Sequence, residues 1–386
     1  MLPKIETIDL LKMASGDALS LQVYKFIGSQ PGKKVYIQAN LHGAEIVGNA
    51  VIHNLIEYLV TLEQDKLKGE IWLVPLCNPI ATNQRGHFFA TGRFNSYDGK
   101  NWNRIFWDYS KEASDLTQFA KSQLDLPLNA IRQNYLAKIQ QAWKKQLAKI
   151  QQPSSTTVSE QYRATLQSLC LDADYVIDIH SSSNQAIDFL FCFASREAAA
   201  EYFGISYGIL MTEYDGNAFD EAFLKPWLAL EQEFQQLGYA TKFDVEAWTL
   251  ELGSGMTMNP DSVAKGFQGI KNYLTHKTIL QSDQVPPHTQ IKFVPRNAIN
   301  SYYAATGGMI QNRLPLNTRV SRGDLIYQLL SFNKKRQLPE LINVYAQTDG
   351  IIFDLATNQS VNQGEYVLDI LVNDLADKDD AESDVI

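Results

Sequence analysis

Cysteine is scarce: Cys77, Cys170 and Cys192 are the only three in 386 residues, far apart and set among apolar neighbours. An odd, scattered set excludes a disulfide framework and a cysteine-based zinc finger, and reads as reduced core residues. No stretch approaches 18 uninterrupted apolar residues, and no basic start followed by an apolar run opens the chain. Neither a membrane partner nor a secretory leader is therefore expected, and a cytoplasmic protein is the default. Charge is sparse as well, at 20% of residues, and 34 Lys and Arg against 43 Asp and Glu leave a net −9. Such a chain repels polyanions at long range, which argues against a nucleic-acid partner. Also missing are the phosphate-cradling Gly-x-x-x-x-Gly-Lys-Ser/Thr, the dinucleotide glycine fingerprint and the Gly-x-Ser-x-Gly elbow.

What is present is core material: 45% hydrophobic and 11% aromatic residues suffice for one large or two medium domains. The stretch 374–386 holds six acids and one Lys, more than half of the net charge, and is expected to be a solvated, disordered tail. Apolar strand-like runs alternate with helix-period segments over residues 1–285, as in Val35 to Ile37 before a helix pattern at Val47 to Leu62. Strands separated by helices predict an α/β sheet with helices on its faces. Ile131, Tyr135, Ile139, Trp143 and Leu147 recur at helical steps within a helical insertion over about 108–170. Pro153 stops that helix, and Thr157 followed by Glu160 reads as a capping box that starts the next one. The insertion is read as a lid, a dimer arm or a helical pair packed on the flank. Over 286–373 the texture becomes Gly-punctuated β segments, expected to form a small all-β, barrel-like domain. Val320 to Leu325 and Ser360 to Glu365 look alike, as if that barrel had two related halves.

The chemistry-bearing residues fall at strand ends, where open α/β sheets place their sites. Val35 to Ala39 runs into Asn40-Leu41-His42-Gly43-Ala44-Glu45, delivering an imidazole and a carboxylate three residues apart. Both are zinc-ligand types, and a turn can aim them at one point. His180 closes the strand Tyr175 to Ile179, as a third ligand from a second strand end would. Three protein ligands leave a coordination position open, as catalytic zinc sites do. Asp178, on the same side of that strand, is a candidate to orient a ligand imidazole, or else a strand-end cap. Glu251, between apolar residues and facing glycines, is a candidate proton carrier whose pKa partial burial would raise. Positive groups come from the loop Gly92 to Arg104, where one Arg could hold a carboxylate and another stabilise an oxyanion.

Asn40 to Glu45, Asn78-Pro79, the loop from Arg93 to Asn103-Arg104, Asp178-Ile179-His180 and Leu250 to Gly253 occur in the order of the succinylglutamate desuccinylase/aspartoacylase family. The chain resembles that branch of the zinc carboxypeptidase fold over roughly residues 15–375, least well in the helical insertion. The resemblance implies a zinc carboxypeptidase-like mixed sheet flanked by helices, with one zinc ion per chain held by His42, Glu45 and His180. It further implies that Glu251 takes a proton from the attacking water and hands it to the leaving amine. Arg93 would polarise the scissile carbonyl, with Arg85 as the alternative, and Asn103 with Arg104 would hold a substrate carboxylate. Two departures stand out. Asn101 occupies the place of a carboxylate that supports a ligand histidine, and Ile105-Phe106-Trp107 replaces Phe-Pro-Gly after the Arg. The expected activity is that of a zinc-dependent amidohydrolase cleaving an N-acyl amino acid or a similar small carboxylate. A carboxypeptidase acting on peptides and a non-catalytic small-molecule-binding relative are the rivals, and a homo-oligomer is compatible with the sequence.

Overall fold

A computed structural model of the chain describes residues 1–87, 90–152, 156–214, 217–332, 334 and 336–372. Pro153 and the acidic stretch 374–386 lie outside the described residues. The strands, in chain order, begin with β1 (Lys4–Lys12), β2 (Ala18–Ile27), β3 (Gln30–Ala39), β4 (Lys68–Val74), β5 (Tyr175–Ser182) and β6 (Gln185–Ala186). They continue with β7 (Phe189–Phe193), β8 (Tyr207–Met211), β9 (Glu246–Ser254) and β10 (Lys292–Pro295). All but β6 form one mixed sheet in the order β1-β2-β4-β3-β5-β9-β7-β8-β10. The central trio β3, β5 and β9 is parallel, so the ends that follow Ala39, Ser182 and Ser254 emerge on one side. That parallel centre explains the apolar runs: the eight residues of β5 are buried except for Ser182, as strands covered on both faces must be.

Helices cover both faces. On one side α1 (Val47–Thr61) turns Val47, Val51, Ile52, Leu55 and Leu59 into a core shared with strand residues Ile37, Ile177 and Leu250. A short α2 (Pro79–Asn83) follows β4, which ends at Val74, and Asn78 caps α2 by accepting Ala81 N–H. Then come α3 (Leu116–Ser122), α4 (Leu128–Ile150) and α5 (Val158–Cys170). The buried side chains of α4 are Ile131, Tyr135, Ile139 and Trp143, a four-residue step that faces one stripe inward. Thr157 and Glu160 form the reciprocal cap at the start of α5. The remaining helices are α6 (Glu197–Ala200), α7 (Phe219–Gln236) and α8 (Pro260–His276).

The C-terminal strands are β11 (Ile299–Tyr303), β12 (Gly308–Gln311), β13 (Arg319–Val320), β14 (Leu325–Ser331), β15 (Glu340–Tyr345), β16 (Gly350–Leu355), β17 (Ser360–Val361) and β18 (Tyr366–Val372). They form two small sheets, β11-β18-β16-β13 and β15-β14-β12-β17, around a core that includes Ile326, Leu329, Ile352 and Val367. The two sequence-similar pieces make the same contacts. Gly323 N–H donates to Ala346 O and Ala346 N–H to Asp324 O, while Gly364 N–H donates to Ala304 O and Ala304 N–H to Glu365 O, each at 2.8 Å. Gly323 and Gly364 share φ near +90°, at +96° and +83°, a turn conformation glycine adopts without a Cβ penalty. One strand crosses from the large sheet's territory into the small one: β6 pairs with β16, placing Ala186 opposite Asp354 and Gln185 opposite Leu355.

Candidate metal centre and catalytic cleft

Ligand types converge where β3 and β5 end. Asn40 adopts φ +67° and its Nδ2 donates to the carbonyls of His42, Gly43 and Glu45 at 3.1–3.3 Å, which folds the turn so that both side chains face inward. Gly43 lets α2 pack against the turn, and its N–H anchors the Arg93 loop. A Cβ there would lie 2.2 Å from Ala81 O, and Gly43 N–H reaches Gly92 O at 3.2 Å. His42 Nδ1 and His180 Nδ1 then flank one carboxylate, at 2.9 Å from Glu45 Oε1 and 2.7 Å from Glu45 Oε2. One ligand atom from each of the three buried residues lies within 4.8 Å of the others, a cluster that can hold a metal ion.

The outer ring nitrogens explain why the inner ones face each other. His42 Nε2 lies 3.0 Å from Asn101 Oδ1, and His180 Nε2 lies 2.9 Å from Asp178 Oδ2. Both partners are acceptors, so each Nε2 carries a proton, and each Nδ1 is left as the ring atom that can turn a lone pair to a cation held beside Glu45. Three lone-pair donors pointed at one spot in a buried site need a positive charge between them, which is what a divalent cation supplies. The local fields express the same demand. Burial would lift Glu45, yet the two imidazoles outweigh it and hold its carboxyl well below the usual range. Burial would lower His180, but Asp178 and Glu45 hold it well above its ordinary value. Asp178 is itself fixed by Gln38 Nε2 at 3.1 Å, whose Oε1 accepts the Tyr36 hydroxyl at 2.9 Å.

The β5–β9 register brings the next residues in. His180 pairs with Glu251 and Asp178 with Thr249, so the two carboxylates and the imidazole share one face of the sheet. Glu251 Oε2 is enclosed and meets no hydrogen-bond partner among the described residues. Burial first, then the Glu45 charge, push its carboxyl up to about 8 against the pull of His180 and Arg93. Arg93 Nη1 lies 3.7 Å from Glu45 Oε1 and donates to Ser183 Oγ at 3.1 Å, and Ser183 Oγ donates to Glu45 Oε1 at 3.0 Å.

These groups open on a cleft of about 110 Å³ lined by His42, Arg93, Asn103, Arg104, His180, Phe191, Met211, Ala218, Asp220, Glu221, Thr249, Glu251 and Arg296. Asn103 Oδ1 accepts Phe219 N–H at 2.8 Å, tying the cleft wall to the start of α7. Arg85, the alternative to Arg93, is exposed, donates to the carbonyls of Thr82 and Gln84, and does not line the cleft. Sequence reasoning passed over Ser183, Thr249, Asp220, Glu221 and Arg296. Ser183 lay in the polar run after His180, which was a usable signal. Arg296 comes from the segment before β11, and nothing in its neighbourhood marked it.

Comparison with known proteins agrees with this geometry. A sequence model of the succinylglutamate desuccinylase/aspartoacylase catalytic domain matches residues 31–277. An N-α-acetyl-L-2,4-diaminobutyric acid deacetylase of Halomonas elongata is 27% identical over 207 residues, covering 50% of this chain and 55% of that protein. The chain thus spans about half the length of the curated relative it matches. A solved family protein from Shewanella amazonensis is 29% identical with a TM-score of 0.85, over 95% of this chain and 98% of that one. Another, from Shewanella frigidimarina, is 26% identical with a TM-score of 0.86, over 97% and 98% of the two chains. Helices flank the same kind of mixed sheet, and no helix among the described residues is long and apolar enough to cross a membrane. With well over half of its length matched by the catalytic-domain model, the chain belongs to the succinylglutamate desuccinylase/aspartoacylase family.

Proposed function

We propose that the chain is a zinc-dependent amide hydrolase that removes the acyl group from a small N-acyl amino acid. The observation that carries this reading is the enclosed, unpartnered Glu251 carboxyl beside the His42–Glu45–His180 cluster. Two imidazoles and a carboxylate are a donor set that zinc accepts, and His42, Glu45 and His180 would hold one ion. Bound there, zinc supplies Lewis-acid polarisation and makes water acidic enough to act as a nucleophile near neutral pH.

The rest falls to the chain's own residues. Glu251, with a carboxyl near 8, exchanges a proton readily around neutral pH, so it takes one from the attacking water and passes it to the departing nitrogen. Arg93, steadied by Ser183, presents its guanidinium where charge develops on the carbonyl oxygen. Asn103, whose Oδ1 is taken by Phe219 N–H, turns its amide NH2 toward a substrate carboxylate, and Arg104 follows it at the same wall. Arg104 and Arg296 line the cleft together with Asp220 and Glu221. Both signs at one wall suit a substrate that offers a carboxylate and a second amino group, the chemistry named for the Halomonas relative. We also assign residues 1–295 to the hydrolase domain, with 108–170 as its insertion, and 296–373 to the β domain; the expected boundary at 285/286 moves because β10 completes the large sheet.

Metal analysis of the purified protein, with hydrolysis of N-acetyl-diaminobutyrate, N-acyl acidic amino acids and dipeptides, tests this reading. Zinc near one per chain is expected, with Glu251→Gln lowering turnover by about 10²–10⁴ while zinc stays bound. Full activity in Glu251→Gln, or a chain that takes up no metal at neutral pH, would overturn it.

A further inference from the structure

The side chains of β16 change phase in mid-strand. Ile351 and Phe353 pack between the two sheets with Ala186, Phe189 and Ile209, whereas Ile352 and Leu355 point into the barrel core. Strict alternation would send Asp354 into that apolar core beside Ile352. Instead the pairing with β18 slips: Ile352 lies opposite Ile370, and Asp354 lies opposite Asp369. A bulge of this kind re-aims a side chain, and here it turns Asp354 toward the large sheet.

There the buried carboxylate is well satisfied. Asp354 Oδ2 accepts the Ser182 hydroxyl at 2.5 Å, and Oδ1 accepts the Tyr366 hydroxyl at 2.6 Å and Asn184 Nδ2 at 3.5 Å. Ser182 stands two residues after His180 and one before Ser183, the residue that touches both Glu45 and Arg93. The same loop is held on its other flank by Gly255, whose N–H donates to Ser182 O at 2.6 Å and Asn184 O at 3.2 Å. Beyond it, Gln185 and Ala186 pair with β16, and Ile187 N–H donates to Phe353 O at 3.0 Å. The segment that follows His180 therefore leaves β5 at Ser182 and ends in β6, a two-residue strand of the C-terminal sheet.

We propose that Asp354 is a positioning residue for the cleft: acting through Ser182, it fixes the loop 181–186 so that Ser183 holds Arg93 beside Glu45. Its activity arm rests on the amide-hydrolase reading, and its structural arm does not.

The test compares Asp354→Ala, which removes every acceptor, with Ser182→Ala, which cuts the link and leaves the Asp354–Tyr366 contact in place. Both are made in the wild-type and Arg93→Ala backgrounds. Turnover of the substrate found for the wild type, zinc content, and amide exchange of peptides covering 178–190 and 1–27 are measured. Each single change should lower kcat by about tenfold and shift KM by no more than about twofold, because the loss falls on a group that acts in the transition state. Zinc content should stay at the wild-type level. In Arg93→Ala neither change should cost anything further, and exchange should quicken in 178–190 while 1–27 is unmoved. Unchanged kcat, losses that multiply with those of Arg93→Ala, or unchanged exchange in 178–190 would each overturn the proposal. If the wild type hydrolyses nothing in the panel, the functional reading fails by itself, and exchange still decides whether Asp354 holds the loop.

Discussion

His42 and His180 are supported unequally. His180 donates to the carboxylate of Asp178, whereas His42 donates to the amide oxygen of Asn101. The orientation of that amide is set by Asn103 N–H, which donates to the same oxygen at 2.8 Å. A neutral acceptor raises the basicity of its imidazole less than a charged one does, so His42 is the weaker donor. Asn101→Asp should tighten zinc binding several-fold and Asn101→Ala should weaken it by about 10- to 100-fold, as read by competition with a chromophoric chelator. Equal affinity in all three proteins would show that the ring needs no support. The cluster itself was legible because its members are chemically distinctive and sit at the ends of apolar runs. Asn40 was not, because its work is done by contacts with turn carbonyls, and for Ser183 the polar run after His180 marked the place but not its contact with Arg93, ninety residues away. A polar residue in a loop gives no sign of such partners until the fold has brought them near.

Among the elements, helices were easier to read than strand order. The four-residue stripe of α4 faces the rest of the fold through Tyr135, whose hydroxyl donates to Pro226 O at 3.0 Å, and Trp143, whose Nε1 donates to Ser168 Oγ at 3.1 Å. At the start of α5, Thr157 Oγ1 accepts Glu160 N–H at 3.3 Å, while Thr157 N–H donates to Glu160 Oε2 at 3.1 Å. Thr157→Ala should cost about 1 kcal/mol in chemical denaturation, with turnover unchanged because the cap lies outside the cleft. A loss of turnover at full stability would instead favour a lid role for this helical pair. The β1–β2 hairpin escaped sequence reasoning. In β1 only Leu10 is buried, so the alternation that reveals a half-covered strand is faint. The order in which β9 inserts between β5 and β7 was equally hidden, since register is set by which faces meet and not by any local signal.

The two parts of the molecule share an apolar seam, in which Ala186, Phe189, Ile209 and Val294 meet Ile351, Phe353 and Leu371. Together with the β6–β16 pairing, that seam should make them unfold as one unit. The sequence supplies a probe, because Trp72, Trp102, Trp107, Trp143, Trp227 and Trp248 all precede the C-terminal strands. Asp369 supplies the perturbation, in β18. Burial, and secondarily Asp354, push its carboxyl up to about 6, despite hydrogen bonds from Ser301 and Tyr366. A raised acid binds its proton more tightly in the folded state, so between about pH 4 and pH 6 the folded chain holds a proton that the unfolded chain has released. Asp369 thus subtracts stability as pH rises through that window, and the loss persists above it. Asp369→Asn should match the wild type near pH 4 and exceed it at pH 8 by up to about 3 kcal/mol. Because every tryptophan reports on the large sheet and its helices, the gain should appear in the tryptophan-detected midpoint only if both parts melt together. A midpoint unmoved at pH 8, alongside a shift seen by far-UV dichroism, would mean that the seam yields first and the C-terminal sheets unfold alone.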